Sequence, residues 1–302
     1  MFALSTSWNA WQHKHAKDMI AEIKRLGFDQ VELSFSLSAT IVKEMLALKR
    51  RGQISVLSVH NFCPIPKGVR RRLASPDMFS LSALDENERK QALRHTQNTI
   101  DTARNIGAAV VVLHVGKVKI EEQIKQLAGY YLSGEQNKFR QLKSKMRLER
   151  AAKAKEHFSQ ALRSLDQLCG YAQKQKIKLG VENRYYFSEI PSLEEMETIL
   201  NKFPGPPLYY WHDVGHAQVY DNLGFVGHRT ILKKFSRRMI GIHLHDINGI
   251  TDHLAPLQGK FDFSVLNSHL SNAVFKVLEP HYPATAAEIT RGRIYLEKLF
   301  SQ

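Results

Sequence analysis

Apolar segments that stop on a side chain able to bind metal recur along this chain. VLSVHNF reaches His60, VVVLHVG reaches His114 and KLGVENR reaches Glu182. LYYWHDVGH closes on Asp213 and His216, MIGIHLHDI carries His243 and His245, and FKVLEPH holds Glu279. Short β-branched and aromatic runs of this kind read as strands, and their near-continuous apolarity fits strands covered on both faces. Side chains two apart in a strand share a face, so His243 and His245 are expected to point the same way. When several strands each place an acid or an imidazole at the carboxyl end, a closed parallel barrel with its site on that rim is the simplest arrangement that unites them.

The intervening segments supply the helices such a barrel needs. Phe2 to Trp8 reads as the first strand, and Ala16, Met19, Ile20, Ile23 and Leu26 follow at helical spacing up to Gly27. The unit repeats in DQVELSF, which carries Glu32, and in a helix marked by Ile41, Met45 and Leu48. After the third strand, CPIPKGVRRRLASPDMF (63–79) is loop in character because of its prolines and glycine, and it reads as a wall or lid on the rim of His60. Asp85 with Glu88 forms a capping box for the next helix.

Residues 117–176 are too long for one crossover helix. The polar stretch GYYLSGEQNK divides them into a short helix and a long one, Lys138 to Gln175, which predicts a basic helical insertion plus crossover helix after strand four. Ser192 with Glu195 caps the helix after strand five. Ile231, Leu232 and Phe235 mark the helix before strand seven, and NGITDHLAPLQGKFDF then brings Asp252 and His253 to the rim. AVFKVLEP is strand eight, followed by a helix with Ile289, Ile294, Leu296, Leu299 and Phe300. The fold predicted is α/β, one (β/α)8 TIM barrel over residues 1–302. A doubly wound sheet ranks second, because no G-x-G-x-x-G follows the first strand.

The formal charge is +14 with histidine neutral, and about half of it falls between Lys117 and Lys155. Such a field favours anionic partners. The insertion reads first as a solvated helix face and second as a basic flap over the site. Arg70, Arg71 and Arg72 are the best duplex-contact candidates, although a solvated run or a sugar-phosphate clamp ranks above that reading. The two cysteines, Cys63 and Cys169, lie far apart and offer no disulfide framework, which suggests a reducing compartment. No apolar run approaches the ~20 residues that span a bilayer, so no membrane partner and a cytoplasmic location are expected.

Carboxylate with imidazole suits a borderline divalent ion, Zn, Mn, Co or Fe, and argues against an all-oxygen Mg²⁺ or Ca²⁺ cage. His60, His114, His243, Glu182, Asp213 and Glu279 on apolar strands would be costly without a common partner, and a metal ion is the simplest one. His212, His245 and Asp246 are expected to orient the ligands rather than bind.

At these residues the chain resembles the xylose-isomerase-like TIM-barrel superfamily, through VHNF, LHVG, GVENR, HDVGHA, IHLHD, DHLAP and VLEP in that order. The group includes sugar phosphate isomerases and epimerases and the AP endonuclease family 2 enzymes. The resemblance implies that Glu182, Asp213, His243 and Glu279 hold one catalytic metal. In the endonuclease branch it implies a second ion at His60 and His114, bridged by Glu182, and a third involving His216 and His253, hence one to three ions per chain. The acid expected two residues before His253 is Thr251, with Asp252 displaced by one, which weighs against the third.

The isomerase or epimerase branch implies proton transfer by Glu182 and Glu279 through a metal-bound enediolate, with Arg184 and His216 holding substrate oxygens. Glu32 and His245 on the same rim complete the expected substrate-binding set. The alternative is a metal-dependent phosphoester hydrolase of the AP endonuclease family 2 type. A small anionic or sugar substrate ranks ahead of nucleic acid, and the residues say nothing of oligomeric state.

Overall fold

In the computed structural model, which describes residues 2–301, eight parallel strands close on themselves. They are β1 (Ala3–Ser5), β2 (Gln30–Leu33), β3 (Ser55–His60), β4 (Val110–Leu113), β5 (Lys178–Glu182), β6 (Leu208–Asp213), β7 (Met239–Leu244) and β8 (Phe275–Leu278). Each pairs with its sequence neighbours, and β1 pairs with β8 to complete the ring. Closure rules out the doubly wound sheet and brings every strand end to one rim. The barrel interior is filled by Ala3, Val110, Val112, Trp211, Ile240, Phe275 and Val277, a packed floor beneath the site. Trp211 fits because Gly241 lies opposite, where a Cβ would come within 2.1 Å of the indole.

The helices lie outside the barrel. They are α1 (Ala16–Arg25), α2 (Ala39–Arg50), α3 (Glu86–Ile106), α4 (Ile124–Leu132), α5 (Gln136–Gln175), α6 (Leu193–Lys202), α7 (Val214–Asn222), α8 (His228–Phe235) and α9 (Ala286–Leu299). Their apolar faces and the outward side chains of the strands form the main core. Ser192 and Glu195 make the full capping box of α6, whereas Asp85 caps α3 by accepting from the backbone N–H of Glu88, the first half of the expected box. Thr285 and Glu288 form a further box at α9.

Several boundaries differ from expectation. β1 stops at Ser5, because the chain turns there and Trp8 instead donates its indole N–H to the carbonyl of Ala284, joining the β1 and β8 loops (2.8 Å). α5 starts at Gln136, two residues early. Leu148 and Ile294, placed among the apolar helix positions, face solvent at 74% and 54% exposure.

Between β4 and β5, α4 and the first half of α5 share a second apolar cluster with Val219, Leu223 and Ile247, flanked by Tyr185, Tyr186 and Phe187. Arg150 fastens α5 to the rim by donating to the carbonyls of Phe187 and Glu189 (both 2.9 Å) and to the carboxylate of Glu195 (2.7 and 3.1 Å). No helix among the described residues is long and apolar enough to cross a membrane.

Candidate metal centre

The ends of β3 to β8 deliver His60, His114, Glu182, Asp213, His243 and Glu279 to one place. His243 sits at the centre. Its Nδ1 lies 2.6 Å from Glu182 Oε1, 2.9 Å from Glu279 Oε2 and 3.7 Å from Asp213 Oδ2. One ligand atom from each of these residues lies within 4.8 Å of the others, and all are buried. Three carboxylates in so small a volume repel one another unless a cation shares the space, and three oxygens with one imidazole nitrogen suit a borderline divalent ion. The residues fit the group that the strand ends led us to expect.

Three further sets adjoin it: Asp213, His245 and His253 form the one that shares Asp213 with the first, and two more lie beside it. His60, His114 and Glu182 form one, with His114 Nε2 at 2.7 Å and His60 Nε2 at 3.6 Å from Glu182 Oε2. His216, Asp252 and His253 form the other, with Asp252 Oδ2 3.7 Å from His216 Nε2 and 3.0 Å from His253 Nδ1. The displacement of the acid from position 251 to 252 is thereby absorbed. His253 takes a left-handed conformation, φ 55°, so that two consecutive side chains, which alternate across an ordinary strand, both reach this set.

Electrostatics follow from this crowding. Burial works against charge on His243, but Glu279, Glu32 and Glu182 outweigh it and hold the imidazolium well above its ordinary range. Burial likewise opposes ionisation of Asp213, yet His216 and His245 keep it well below the usual carboxylate range. For His253, burial is outweighed by Asp252 and Glu279, and its pKa rises to about 9.

Four expectations need correction. Glu32, expected to touch substrate, is fully buried beneath the centre. It accepts from Ser58 Oγ (2.7 Å) and from the Nε2 edge of His243 (3.1 and 3.2 Å), so its carboxylate orients that ring. His245, expected both to orient a ligand and to hold substrate, lies against Asp213 as the first role requires and has no ring edge left for the second. Nε2 donates to Asp213 (3.0 and 3.1 Å) and Nδ1 accepts from the backbone N–H of His253 (2.9 Å). Asp246 turns away from the centre and accepts from the backbone N–H groups of Ile247, Leu257, Gly259 and Phe261, which shapes the following loop. His212 points outside the barrel, with Nε2 3.0 Å from His228 Nε2.

Arg184 is buried at the edge of the centre. Its Nη2 donates to Asp77 (3.1 Å to each oxygen) and to Glu189, Nη1 is ion-paired with Glu182 Oε2 at 3.7 Å, and neither Nη1 nor Nε has a hydrogen-bond acceptor among the described residues. His216 donates from Nδ1 to the carbonyl of Asn183 (3.0 Å), which turns Nε2 toward Asp252. Asp77 and Glu189 escaped the sequence reading. Asp77 sits in a proline-rich loop without periodicity, and Glu189 lies in the short connection between β5 and α6 with no apolar run to mark it. Arg71 spends its guanidinium on the carbonyls of Ser36 (3.1 Å), His13 (3.3 Å) and Ala10, which leaves no fork free for a nucleic-acid phosphate.

Known structures share this architecture. A D-tagatose 3-epimerase-like protein superposes with a TM-score of 0.70 at 18% identity, covering 99% of this chain and 97% of that one. An L-ribulose 3-epimerase gives 0.70 at 12% identity, covering 99% and 94%. The IolI protein, solved with a bound zinc atom, gives 0.67 at 13% identity, covering 99% and 98%. At these identities the likeness speaks for the fold. A search among curated proteins finds no match. The sequence-family model described as xylose isomerase-like TIM barrel, however, matches residues 20–298, and with that match over nearly the whole length the chain belongs to the xylose isomerase-like TIM-barrel family.

Proposed function

We propose that this chain is a divalent-metal-dependent sugar or sugar-phosphate isomerase or epimerase. The observation that carries the reading is the pairing of Glu182 and Glu279, which reach the same nitrogen of His243 from β5 and from the residue after β8. A divalent ion held by Glu182, Asp213, His243 and Glu279 would supply the positive charge that acidifies a C–H beside a carbonyl. Both glutamates are held ionised. Burial opposes this at each, but His243 and His114 beside Glu182, and His243 and His253 beside Glu279, outweigh it. One carboxylate can therefore take a proton from carbon while the other stands ready to return it to a neighbouring carbon or to the other face.

The remaining residues bind and exclude water. Nε and Nη1 of Arg184, which have no hydrogen-bond acceptor among the described residues although Nη1 lies 3.7 Å from Glu182, suit hydroxyl or carbonyl oxygens of a small substrate. The metal set lies at most 5% exposed, depth that suits a small molecule better than a duplex. D-Tagatose 3-epimerase-like and L-ribulose 3-epimerase structures in the same fold family are in keeping with a sugar substrate.

A second reading, metal-dependent phosphoester hydrolysis, is favoured by one specific observation. The sets His60, His114, Glu182 and His216, Asp252, His253 flank the first, and Glu182 belongs to two of them. Metal content per chain, measured for the purified protein and for Glu182→Gln, separates the two. Loss in the variant of the ion held by Glu182, Asp213, His243 and Glu279, with turnover of ketose or aldose sugars by the wild type, is the expected result. Two or more ions with cleavage of a phosphodiester and no sugar turnover would end the isomerase reading.

A further inference from the structure

Asp77 stands in the segment between β3 and α3, outside the ligand sets, yet its carboxylate touches two residues of the site. Its Oδ1 lies 2.9 Å from His114 Nδ1, and both oxygens lie 3.1 Å from Arg184 Nη2. His114 follows β4 and Arg184 follows β5, so one loop side chain spans two adjacent positions on the rim. About a third of the Asp77 side chain meets solvent (32%), against 7% for His114 and 3% for Arg184. Asp77 is the outer member of the group, and the two it holds are the inner ones. Resting on the reading of His114 as a metal ligand and Arg184 as a substrate-holding group, we infer that Asp77 is a positioning residue. It latches the 63–79 segment over the site and sets the orientation of both groups.

The chemistry runs through the imidazole. A neutral ring has one donor and one acceptor nitrogen, and a donor Nδ1 facing Asp77 leaves the Nε2 lone pair for the interior. Nε2 is the atom beside Glu182, in the set with His60. Nε2 lies 2.7 Å from Glu182 Oε2, and were a cation held between them, it would draw electron density from the ring and make Nδ1–H a stronger donor to Asp77. A carboxylate at Nδ1 in turn makes Nε2 a better ligand. The coupling is reciprocal, so ion binding favours the closed segment and the closed segment favours the ion.

Arg184 is served in the same way. Asp77 and Glu189 occupy Nη2, which leaves Nε and Nη1 without a hydrogen-bond acceptor among the described residues. The segment is independently pinned at Arg71 by the carbonyls of Ala10, His13 and Ser36, so Asp77 governs the stretch beyond that anchor. Arg72, exposed and just beyond that anchor on the Asp77 side, offers a cleavage point for trypsin.

The test uses zinc titration against a chromophoric chelator and limited trypsin digestion with and without zinc, on the wild type, Asp77→Asn and Asp77→Glu. In the wild type, zinc slows cleavage after Arg72. In Asp77→Asn, one zinc is expected to bind 10- to 100-fold more weakly, while any ion held by Glu182, Asp213, His243 and Glu279 keeps its affinity. Zinc then no longer protects the segment, and Asp77→Glu recovers part of both effects. His114→Gln, which removes the inner end of the latch, is expected to abolish protection as well. Wild-type zinc affinities with undiminished protection in Asp77→Asn, or no protection by zinc in the wild type, would overturn the inference. Neither readout depends on turnover, so a wild type that turns over no sugar ends the isomerase reading and leaves the latch standing.

Discussion

Glu279 shows how narrowly one side chain is constrained at this rim. It is 5% exposed, lies 2.9 Å from His243 Nδ1, and reaches within 3.9 Å of His253. Glutamine keeps its size and removes its charge. Glu279→Gln is expected to retain the wild-type circular dichroism spectrum while turnover falls roughly 10²- to 10⁴-fold, the usual worth of a positioned acid or base. Wild-type rates in that variant would take Glu279 out of the catalytic set. Gly241 is constrained from the opposite direction, by space. A methyl group there meets the Trp211 ring at 2.1 Å in the packed barrel interior, so Gly241→Ala should cost about 1–3 kcal/mol in urea denaturation. At this scale the sequence was informative about residue type and poor on orientation. His243 and Glu182 were legible as candidate ligands because they sit at the ends of apolar runs. The burial of Glu32 was not, because strand pattern cannot tell a side chain above the barrel floor from one within it.

Among elements, α5 depends most on a single polar contact. Arg150 and Glu195 are each about nine-tenths buried, and the guanidinium also satisfies two carbonyls of the loop after β5. Arg150→Ala leaves a buried carboxylate unpaired and is expected to destabilise the protein by roughly 3–5 kcal/mol. The paired replacement Arg150→Met with Glu195→Met should cost less than the single change, because no charge is stranded. A single change no worse than the double one, measured by chemical denaturation, would deny the pair this role. Strands and helices were readable here wherever a period was sustained. Boundaries such as the end of β1 were not, since Trp8 is apolar and sits in sequence as a strand residue would, yet its indole N–H found a carbonyl across the ring at Ala284.

For the whole molecule, stability depends on pH through a buried histidine outside the ligand sets. Burial pushes His228 down to about 3, with Arg229 and His269 adding to the effect and Asp213 opposing it. The unfolded chain takes up the proton near pH 6.5, before the folded one, so the unfolded state binds more protons between about pH 6.5 and 3. Stability contributed by the neutral ring is therefore present above about 6.5 and falls by ~1.4 kcal/mol per pH unit as pH drops through that window. Melting temperatures between pH 7.5 and 5 should decline, and His228→Gln should flatten that decline. An unchanged slope would mean that other groups control it. The charge of +14 acts at the same scale. Half of it rides on a segment whose anchored residues, Lys143 and Arg150, donate to backbone carbonyls of the rim loops, so part of this charge is structural.

The class of fold and the candidate ligand residues were written in the chain, because both rest on local rules: strand periodicity, apolar runs, and the cost of leaving acids and imidazoles at their ends without a partner. Three-dimensional closure settled which atoms meet. It turned Nδ1 of His243 toward three carboxylates, admitted Asp252 in place of residue 251 through a left-handed His253, and carried Asp77 from an unpatterned loop to His114 and Arg184. Contacts between residues far apart in sequence arise from how the ring closes, and no pattern confined to one segment encodes them.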